Sequence, residues 1–235
     1  MVVTALKKGL ELDPFNAHIH ITISWLYLKS KSYFLATPEF DEAVLHAPEN
    51  LQFQVDKIVV RTHQGKYQEA IDCCDEALEA HPDAVLIMTI KAECLRELDK
   101  LDEAKRVYQK IFEIEPGAPD VLLNLGNINA EMGDFENAIN YYQSSIKKDP
   151  YFGEAYFYLA VSFDRTNKTQ EAIDYYQKAA NLYHKSPFPY ICQALMHMRL
   201  KNPETAIELF ENGLYHFPNS PFLKYNYGIF YLGQG

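Results

Sequence analysis

The side chains in this sequence that could do chemistry stand in short, separate groups. The segment His18-Ile19-His20 could suggest a metal ion, but two residues that lie two apart on a helix point away from each other. The acidic pairs Asp41-Glu42 and Asp102-Glu103 resemble exposed charges of a helix, not an acid and a base that share a pocket. We therefore expect no catalytic constellation, no metal site and no cofactor, and we predict that the chain is not an enzyme.

The four cysteines, Cys73, Cys74, Cys94 and Cys192, lack the spacing of a zinc site. Cys73 and Cys74 are adjacent, so on a helix their thiols face different directions and cannot easily form a bridge. Unpaired, buried thiols fit a reducing compartment. The cysteines thus predict a cytoplasmic protein.

The charge balance restricts the kinds of partner. The formal net charge is −10, from 22 basic and 32 acidic residues. A nucleic-acid binder needs clustered cations to displace counterions from phosphates, so we expect no nucleic-acid partner, and no adhesion to anionic lipid. No apolar run approaches the roughly 20 residues that span a membrane. Lys7 and Lys8 interrupt the only stretch that could resemble a secretory signal. An acidic chain favours basic or mixed protein partners.

Residues 119–152 contain the pattern that positions all these side chains. Leu122 and Leu125 stand at helical spacing, which predicts one packed face of a first helix. Gly133 can end that helix in the left-handed conformation, and Pro150 stops a second helix because it has no amide hydrogen. Two helices joined by so short a turn must lie antiparallel. One pair of this length cannot bury both apolar faces, so it needs neighbouring pairs.

The neighbouring pairs are visible as a repeat of 34 residues along the chain. Prolines mark the register, and His184 stands at the one position that lacks proline: Pro14, Pro48, Pro82, Pro116, Pro150 and Pro218. Twelve residues before a register position stands an alanine: Ala36, Ala70, Ala104, Ala138, Ala172 and Ala206. Eight residues before it stands an aromatic residue or cysteine: Phe40, Cys74, Tyr108, Tyr142, Tyr176 and Phe210. Proline is only about one residue in twenty in proteins, so chance does not produce this register.

This unit resembles the tetratricopeptide repeat in its period, small residues, aromatic residue and final proline. The resemblance implies an all-α, right-handed superhelical solenoid of antiparallel helix pairs. Residues 1–16 would be the second helix of a partial repeat, 17–220 six repeats, and 221–235 the first helix of another partial repeat. It also implies a non-catalytic protein–protein interaction scaffold. The alternative is a regulatory or targeting segment of a larger multidomain enzyme or complex.

The resemblance places a partner-binding groove on the first helices of the repeats. We expect an acidic centre between apolar ends, which suits a peptide or protein with basic residues between hydrophobic anchors. Alternatively, the apolar residues only touch the next repeat. The predicted binding residues are Trp25, Glu93, Arg96, Glu97, Asn127, Glu131, Phe157, Asp164, Arg165, Phe188, Ile191, Leu195, Phe222 and Tyr225.

Chaperone-binding members of the family clamp a terminal carboxylate with Lys or Arg at groove positions that include the fifth of each unit. The fifth positions of this chain carry no cation: Ile21, Val55, Thr89, Leu123, Phe157, Ile191 and Tyr225. That specialised function is therefore not expected here.

Three departures from the pattern carry further expectations. Thr37-Pro38-Glu39 has the composition of a helix start, so we expect the second helix of the first unit to begin there, after a longer connection over 30–36. Polar residues interrupt the first helix of the next unit, which should pack less well: Gln54, Lys57 and Arg61. The aromatic segment 222–231 has no second helix after it. This favours either a chain that was cut from a longer one or a homodimer through this helix.

Overall fold

The computed structural model describes residues 2–232, and these form fourteen α-helices with no strand among them. The helices are α1 (Val2–Leu12), α2 (Ala17–Lys29), α3 (Tyr33–His46), α4 (Leu51–His63), α5 (Tyr67–Ala80), α6 (Val85–Glu97), α7 (Leu101–Ile114), α8 (Pro119–Glu131), α9 (Phe135–Lys148), α10 (Gly153–Arg165), α11 (Thr169–Leu182), α12 (Phe188–Arg199), α13 (Pro203–His216) and α14 (Pro221–Leu232).

The helices alternate in the 34-residue register. Second helices begin at residues 33, 67, 101, 135, 169 and 203, and five of the first helices begin at 17, 51, 85, 119 and 153. Each first helix from α2 to α12 packs against the second helix that follows it. The expected all-helical class, built from helix pairs, is confirmed. The division of the chain into six repeats between two partial ones stays a prediction.

The turn inside every pair contains one residue with positive φ. Those residues recur at the same spacing: Lys31, Gly65, Asp99, Gly133, Asn167 and Lys201. The sequence pattern identified this role only for Gly133. Because a left-handed conformation costs a non-glycine residue roughly 1 to 2 kcal/mol, the packing of the two helices must hold the other turns in place.

The register residues form the core. The six alanines and the six aromatic or cysteine positions of the repeat are each no more than 2% exposed. The chain divides into two compact units, 1–114 and 115–235. In the first unit, Ala36 and Phe40 pack with Phe53 and Val60. In the second unit, the α8–α12 cluster and the α11–α14 cluster are built around the equivalent tyrosine and phenylalanine positions.

The expectation for Pro38 is wrong. Helix α3 begins at Tyr33, and Pro38 lies inside it. The proline cannot donate to the carbonyl of Phe34 four residues earlier. Phe34 lies on the outer face of the helix, 86% exposed, and the buried side chains of Ala36 and Phe40 hold the helix continuous across the proline.

Helix α4 packs less closely against α5 than the other first helices do against their second helices, as expected, but its polar residues are not left unpaired. Gln54 and Arg61 are buried, and Lys57 is half-buried. The Gln54 amide donates to the Pro48 carbonyl at 3.0 Å. The Arg61 guanidinium donates to the Asp41 carboxylate at 2.7 Å. Each polar group is matched by a neighbouring helix or loop, so its burial is compensated.

Candidate functional site

Two clefts lie between consecutive first helices of the first compact unit. The tryptophan cleft, of about 520 Å³, lies between α2 and α4 and is lined by Thr22, Trp25, Leu26, Leu28, Lys29, Tyr33 and His63. Its wall is mostly apolar and aromatic. The rings of Tyr33 and His63, both in that wall, have centroids 6.1 Å apart.

Trp25 is held in place although its indole ring faces outward. Half of the residue is exposed, while its Nε1–H donates to Oδ2 of Asp56 at 3.2 Å. Asp56 is buried, and its Oδ1 accepts a second hydrogen bond from Gln52 at 2.8 Å. Burial raises the pKa of the Asp56 carboxyl above its usual range, and the two hydrogen bonds oppose that shift. The result is an aromatic face open to solvent in a fixed orientation.

The acidic cleft, of about 400 Å³, lies between α4 and α6, one repeat further along the chain. It is lined by Val59, Thr62, His63, Tyr67, Ile90, Glu93, Cys94, Arg96 and Glu97. The two clefts occupy the same place in the register, since Val59 and Glu93 follow Trp25 by one and two repeats. His63 contributes to both. The fold therefore presents one cleft type twice, first with apolar and then with acidic side chains.

The carboxylates of the acidic cleft interact with one another and with the wall. Loss of hydration raises the pKa of Glu93; Arg96 opposes the shift and Glu97 adds to it. The Glu97 carboxylate, within hydrogen-bond reach of the Tyr67 hydroxyl, raises the pKa of that phenol. Burial raises the pKa of the Cys94 thiol to about 11, so it stays protonated and is a poor nucleophile. The cleft thus combines two carboxylates, Glu93 and Glu97, with the guanidinium of Arg96.

In the second unit, several predicted binding residues contact their own chain. Asp164 on α10 accepts from the Arg199 guanidinium on α12, with both carboxylate oxygens 2.9 Å from one nitrogen. Asn127 accepts from the Tyr142 hydroxyl at 2.8 Å. Glu131 and Arg165 are exposed. The binding role of these residues stays a prediction.

The aromatic end of the predicted groove is partly internal. Phe157 is half-buried, with its ring centroid 5.9 Å from that of Tyr176. The rings of Phe188 and Phe222 are 5.4 Å apart, and both side chains are exposed, as are those of Leu195 and Tyr225. Ile191, in contrast, is only 4% exposed within the α11–α14 cluster, so it is not part of the proposed surface.

The aromatic segment 222–231 is exposed along much of helix α14. Tyr225, Ile229 and Tyr231 are exposed, whereas Phe230 is 3% exposed and packs against Phe210, with centroids 6.3 Å apart. Pairing of two chains through this helix stays a prediction. Residues 233–235 of the expected C-terminal segment lie outside the described residues.

The residues first considered for metal chemistry are engaged in packing. His20 places Nδ1 2.7 Å from the Glu39 carboxylate and Nε2 3.1 Å from the Pro14 carbonyl, and His18 packs against the Phe53 ring. Among residues 2–232, no group of three or more metal-ligating side chains is found. Within the same range, no helix is both long and apolar enough to cross a membrane.

Reasoning from the sequence missed Asp56, His63 and Tyr67. Each lies on or next to α4, and each acquires its role from a helix one repeat away. The one available signal was the register: Val59 and Glu93 align with Trp25, and Tyr67 aligns with Tyr33. That alignment would have indicated a repeated cleft, although not the Trp25–Asp56 hydrogen bond.

Comparison with known families agrees with this architecture. A family described as "Psidin, N-terminal TPR repeats region" matches residues 54–214, and one described as "Tetratricopeptide repeat" matches residues 21–85. The chain belongs to the tetratricopeptide-repeat family. The resemblance inferred from the 34-residue register is thereby confirmed.

Relatives of this tetratricopeptide-repeat chain are distant and longer. It is 25% identical over 138 residues to the probable UDP-N-acetylglucosamine--peptide N-acetylglucosaminyltransferase SPINDLY of Hordeum vulgare, over 56% of the chain and 15% of that protein. It is 20% identical over 229 residues to Hsp70-Hsp90 organizing protein 2 of Arabidopsis thaliana, over 82% of the chain and 40% of that protein. The chain thus spans less than half the length of these relatives.

A solved structure of similar fold comes from a protein assembly. The chain superposes on one from the APC/C hetero-tetramer Cut9-Hcn1 with a TM-score of 0.66 and 17% identity, covering 94% of this chain and 44% of that one. At this identity the likeness shows the fold alone.

Proposed function

We propose that this chain is a non-catalytic protein-interaction scaffold that binds a segment of a partner protein along α2, α4 and α6. The observation that carries the proposal is the outward-facing Trp25 ring, fixed by Asp56 and followed one repeat later by the acidic cleft. An exposed aromatic side chain that is already held in one orientation loses little conformational entropy when a partner covers it. Tryptophan is also among the residues that most often dominate binding energy.

The two clefts define the chemistry of the proposed partner. The apolar wall beside Trp25 suits a hydrophobic side chain, and Glu93 with Glu97 suits a lysine or arginine. Packed helices lie about 8 to 10 Å apart, and an extended chain rises about 3.3 Å per residue. Trp25 lies on α2 and the two carboxylates lie on α6, two helix spacings away, so a partner segment would carry its apolar anchor and its basic residue about five or six positions apart.

The relatives support the class of function, not the identity of the partner. One of them is an Hsp70-Hsp90 organizing protein, a name that describes the joining of proteins. A terminal-carboxylate clamp is not proposed for this chain, because its fifth groove positions, such as Val55 and Phe157, carry no cation. We further propose a cytoplasmic location, which the four free cysteines support.

The alternative proposal is a regulatory or targeting segment of a larger enzyme. It is supported by the likeness to SPINDLY, a transferase of which the matched part is only 15%. Even then, this chain would contribute recognition and not catalysis. A longer reading frame with a domain outside the repeats would favour the alternative.

The proposal can be tested with peptides selected by phage display on the purified chain. Trp25 is the single tryptophan of the sequence, so its fluorescence reports directly on the tryptophan cleft. We expect selected peptides to change that emission, and Trp25→Ala to weaken binding by about 30-fold, the equivalent of about 2 kcal/mol for a dominant contact.

The matched control is Phe34→Ala, which removes an aromatic ring that is 86% exposed on a second helix of the same unit. This variant should bind as the unaltered chain does. If the selected peptides bind Trp25→Ala and Phe34→Ala equally well, and charge reversal at Glu93 and Glu97 has no effect, the proposed surface is wrong.

A further inference from the structure

We propose that a second site, on the second helices of the other compact unit, binds an acidic segment of a protein. The site is a groove of about 300 Å³ between α9 and α11, with α10 as its floor. We call it the lysine groove, after Lys147 and Lys178 on its two sides. Tyr156, Leu159 and Tyr175 line the space between them.

The wall of the lysine groove is a stack of aromatic rings. The Tyr175 ring lies between Tyr156, with centroids 6.2 Å apart, and Phe163, with centroids 5.4 Å apart. The Lys178 ammonium lies 4.6 Å from the Tyr175 centroid. This cation–π contact positions the ammonium beside the groove without neutralising its charge.

The same groove in the first compact unit is neutralised by the chain itself. There, in the groove between α5 and α7, Lys91 of the floor helix α6 pairs with Asp75 of α5. Two repeats later, the positions of Asp75, Glu76 and Glu79 are occupied by Gln143, Ser144 and Lys147. The acidic side of the groove has thus been replaced by neutral residues and a cation.

No carboxylate near the lysine groove takes over this role. Asp149, whose charge acts on the Tyr156 phenol, accepts a hydrogen bond from the Tyr151 amide at 2.9 Å. Asp174 accepts one from Gln170 at 3.0 Å. Within residues 2–232, neither Lys147 nor Lys178 forms an ion pair. The two ammonium groups therefore have no carboxylate in direct contact, on a chain whose net charge is −10.

The chemistry of the groove selects its occupant. Aspartate or glutamate side chains would pair with the two ammonium groups, while an aliphatic or aromatic side chain would pack on Leu159 and the tyrosine faces. A protein segment is favoured over nucleic acid, because nucleic-acid binding depends on many phosphate contacts and this site offers two cations on an acidic protein.

The experiment is a subtractive display selection on the intact chain. Random peptides are selected for binding to the unaltered chain and depleted on the double variant Lys147→Gln with Lys178→Gln. We expect the recovered peptides to carry at least two acidic residues beside an aromatic or aliphatic one. Fluorescence polarisation should then show about tenfold weaker binding to the double variant, and replacing Glu by Gln in the peptide should give a similar loss.

The control variant, Lys185→Gln with Lys224→Gln, makes the same change in net charge at two exposed lysines of the same unit. Its binding should match the unaltered chain, and circular dichroism should show equal helicity for all three proteins. The proposal is overturned if no peptide distinguishes the two chains, if the recovered peptides lack acidic residues, if single-stranded DNA competes as well as the peptide does, or if the control loses as much affinity. Trp25→Ala should leave this binding unchanged, which separates the lysine groove from the surface proposed above.

Discussion

The Trp25 indole on α2 donates a hydrogen bond to the buried Asp56 carboxylate on α4, at 3.2 Å across two consecutive repeats. This contact fixes an exposed aromatic ring, and the other oxygen of the Asp56 carboxylate accepts a hydrogen bond from Gln52. The Trp25–Asp56 hydrogen bond therefore connects the stability of the first unit, to which the buried Asp56 contributes, with the surface that we propose for binding.

Replacing Asp56 separates its charge from its role as an acceptor. Asp56→Asn keeps an oxygen for Trp25, whereas Asp56→Ala removes it and should cost about 1 to 2 kcal/mol of unfolding free energy. We expect Trp25 fluorescence anisotropy to fall in the alanine variant and to stay unchanged in the asparagine variant. Equal anisotropy in all three proteins would contradict the anchoring role.

The raised pKa of Asp56 also predicts a pH dependence of stability. The unfolded chain releases this proton at a lower pH than the folded chain does. Stability should therefore fall as pH rises from the unfolded pKa through the folded pKa, and remain lower at neutral pH. Asp56→Asn should remove that part of the dependence and unfold at a higher temperature at neutral pH. Thermal unfolding of both proteins across the acidic range measures the difference.

The acidic cleft predicts a pH dependence of binding. Because the pKa of Glu93 is raised, its carboxylate is protonated at a higher pH than an ordinary glutamate. Affinity for a basic peptide should fall as pH is lowered through that value, and Glu93→Gln should bind more weakly with a flatter profile. Titrations from about pH 4 to pH 8 test this. A steeper profile in the Gln variant would show that another group controls binding.

The position of Pro38 inside α3 predicts that its removal stabilises the chain. Pro38→Ala restores an amide that can donate to the Phe34 carbonyl, and should raise the free energy of unfolding by about 1 to 3 kcal/mol. The control is Pro203→Ala, since Pro203 lies in the first turn of α13, where proline is well tolerated. Urea denaturation compares them. Pro203→Ala could lower the free energy of unfolding. If Pro38→Ala lowers it as well, the helix does not continue through residue 38.

The turn between α4 and α5 provides a test of backbone strain alone. Gly65 has a φ of +71°, and an added Cβ there would meet no atom within 4 Å. Gly65→Ala should therefore destabilise the chain by about 1 kcal/mol through its backbone conformation and not through a clash. The reverse change, Lys31→Gly at the equivalent turn, should be neutral or stabilising. A Gly65→Ala protein as stable as the unaltered chain would show that this turn can change its conformation.

The sequence by itself determined the helix pairs, their 34-residue register and the buried alanine and aromatic positions. These features are local and repeat, so each unit confirms the others. It also indicated Trp25, Glu93 and Glu97 as candidate binding residues, because a fixed position in the repeat places a residue on a fixed side of the helix.

Only the tertiary structure decided which of those side chains are fixed, paired or buried. The Trp25–Asp56 contact, the Asp164–Arg199 pair and the burial of Ile191 depend on side chains of different helices that meet in space. Pro38 shows the same limit, since its local preference for a helix start is overridden by the packing of Ala36 and Phe40. Local pattern sets where a residue lies on its own helix, whereas its charge state and accessibility depend on the neighbouring helix.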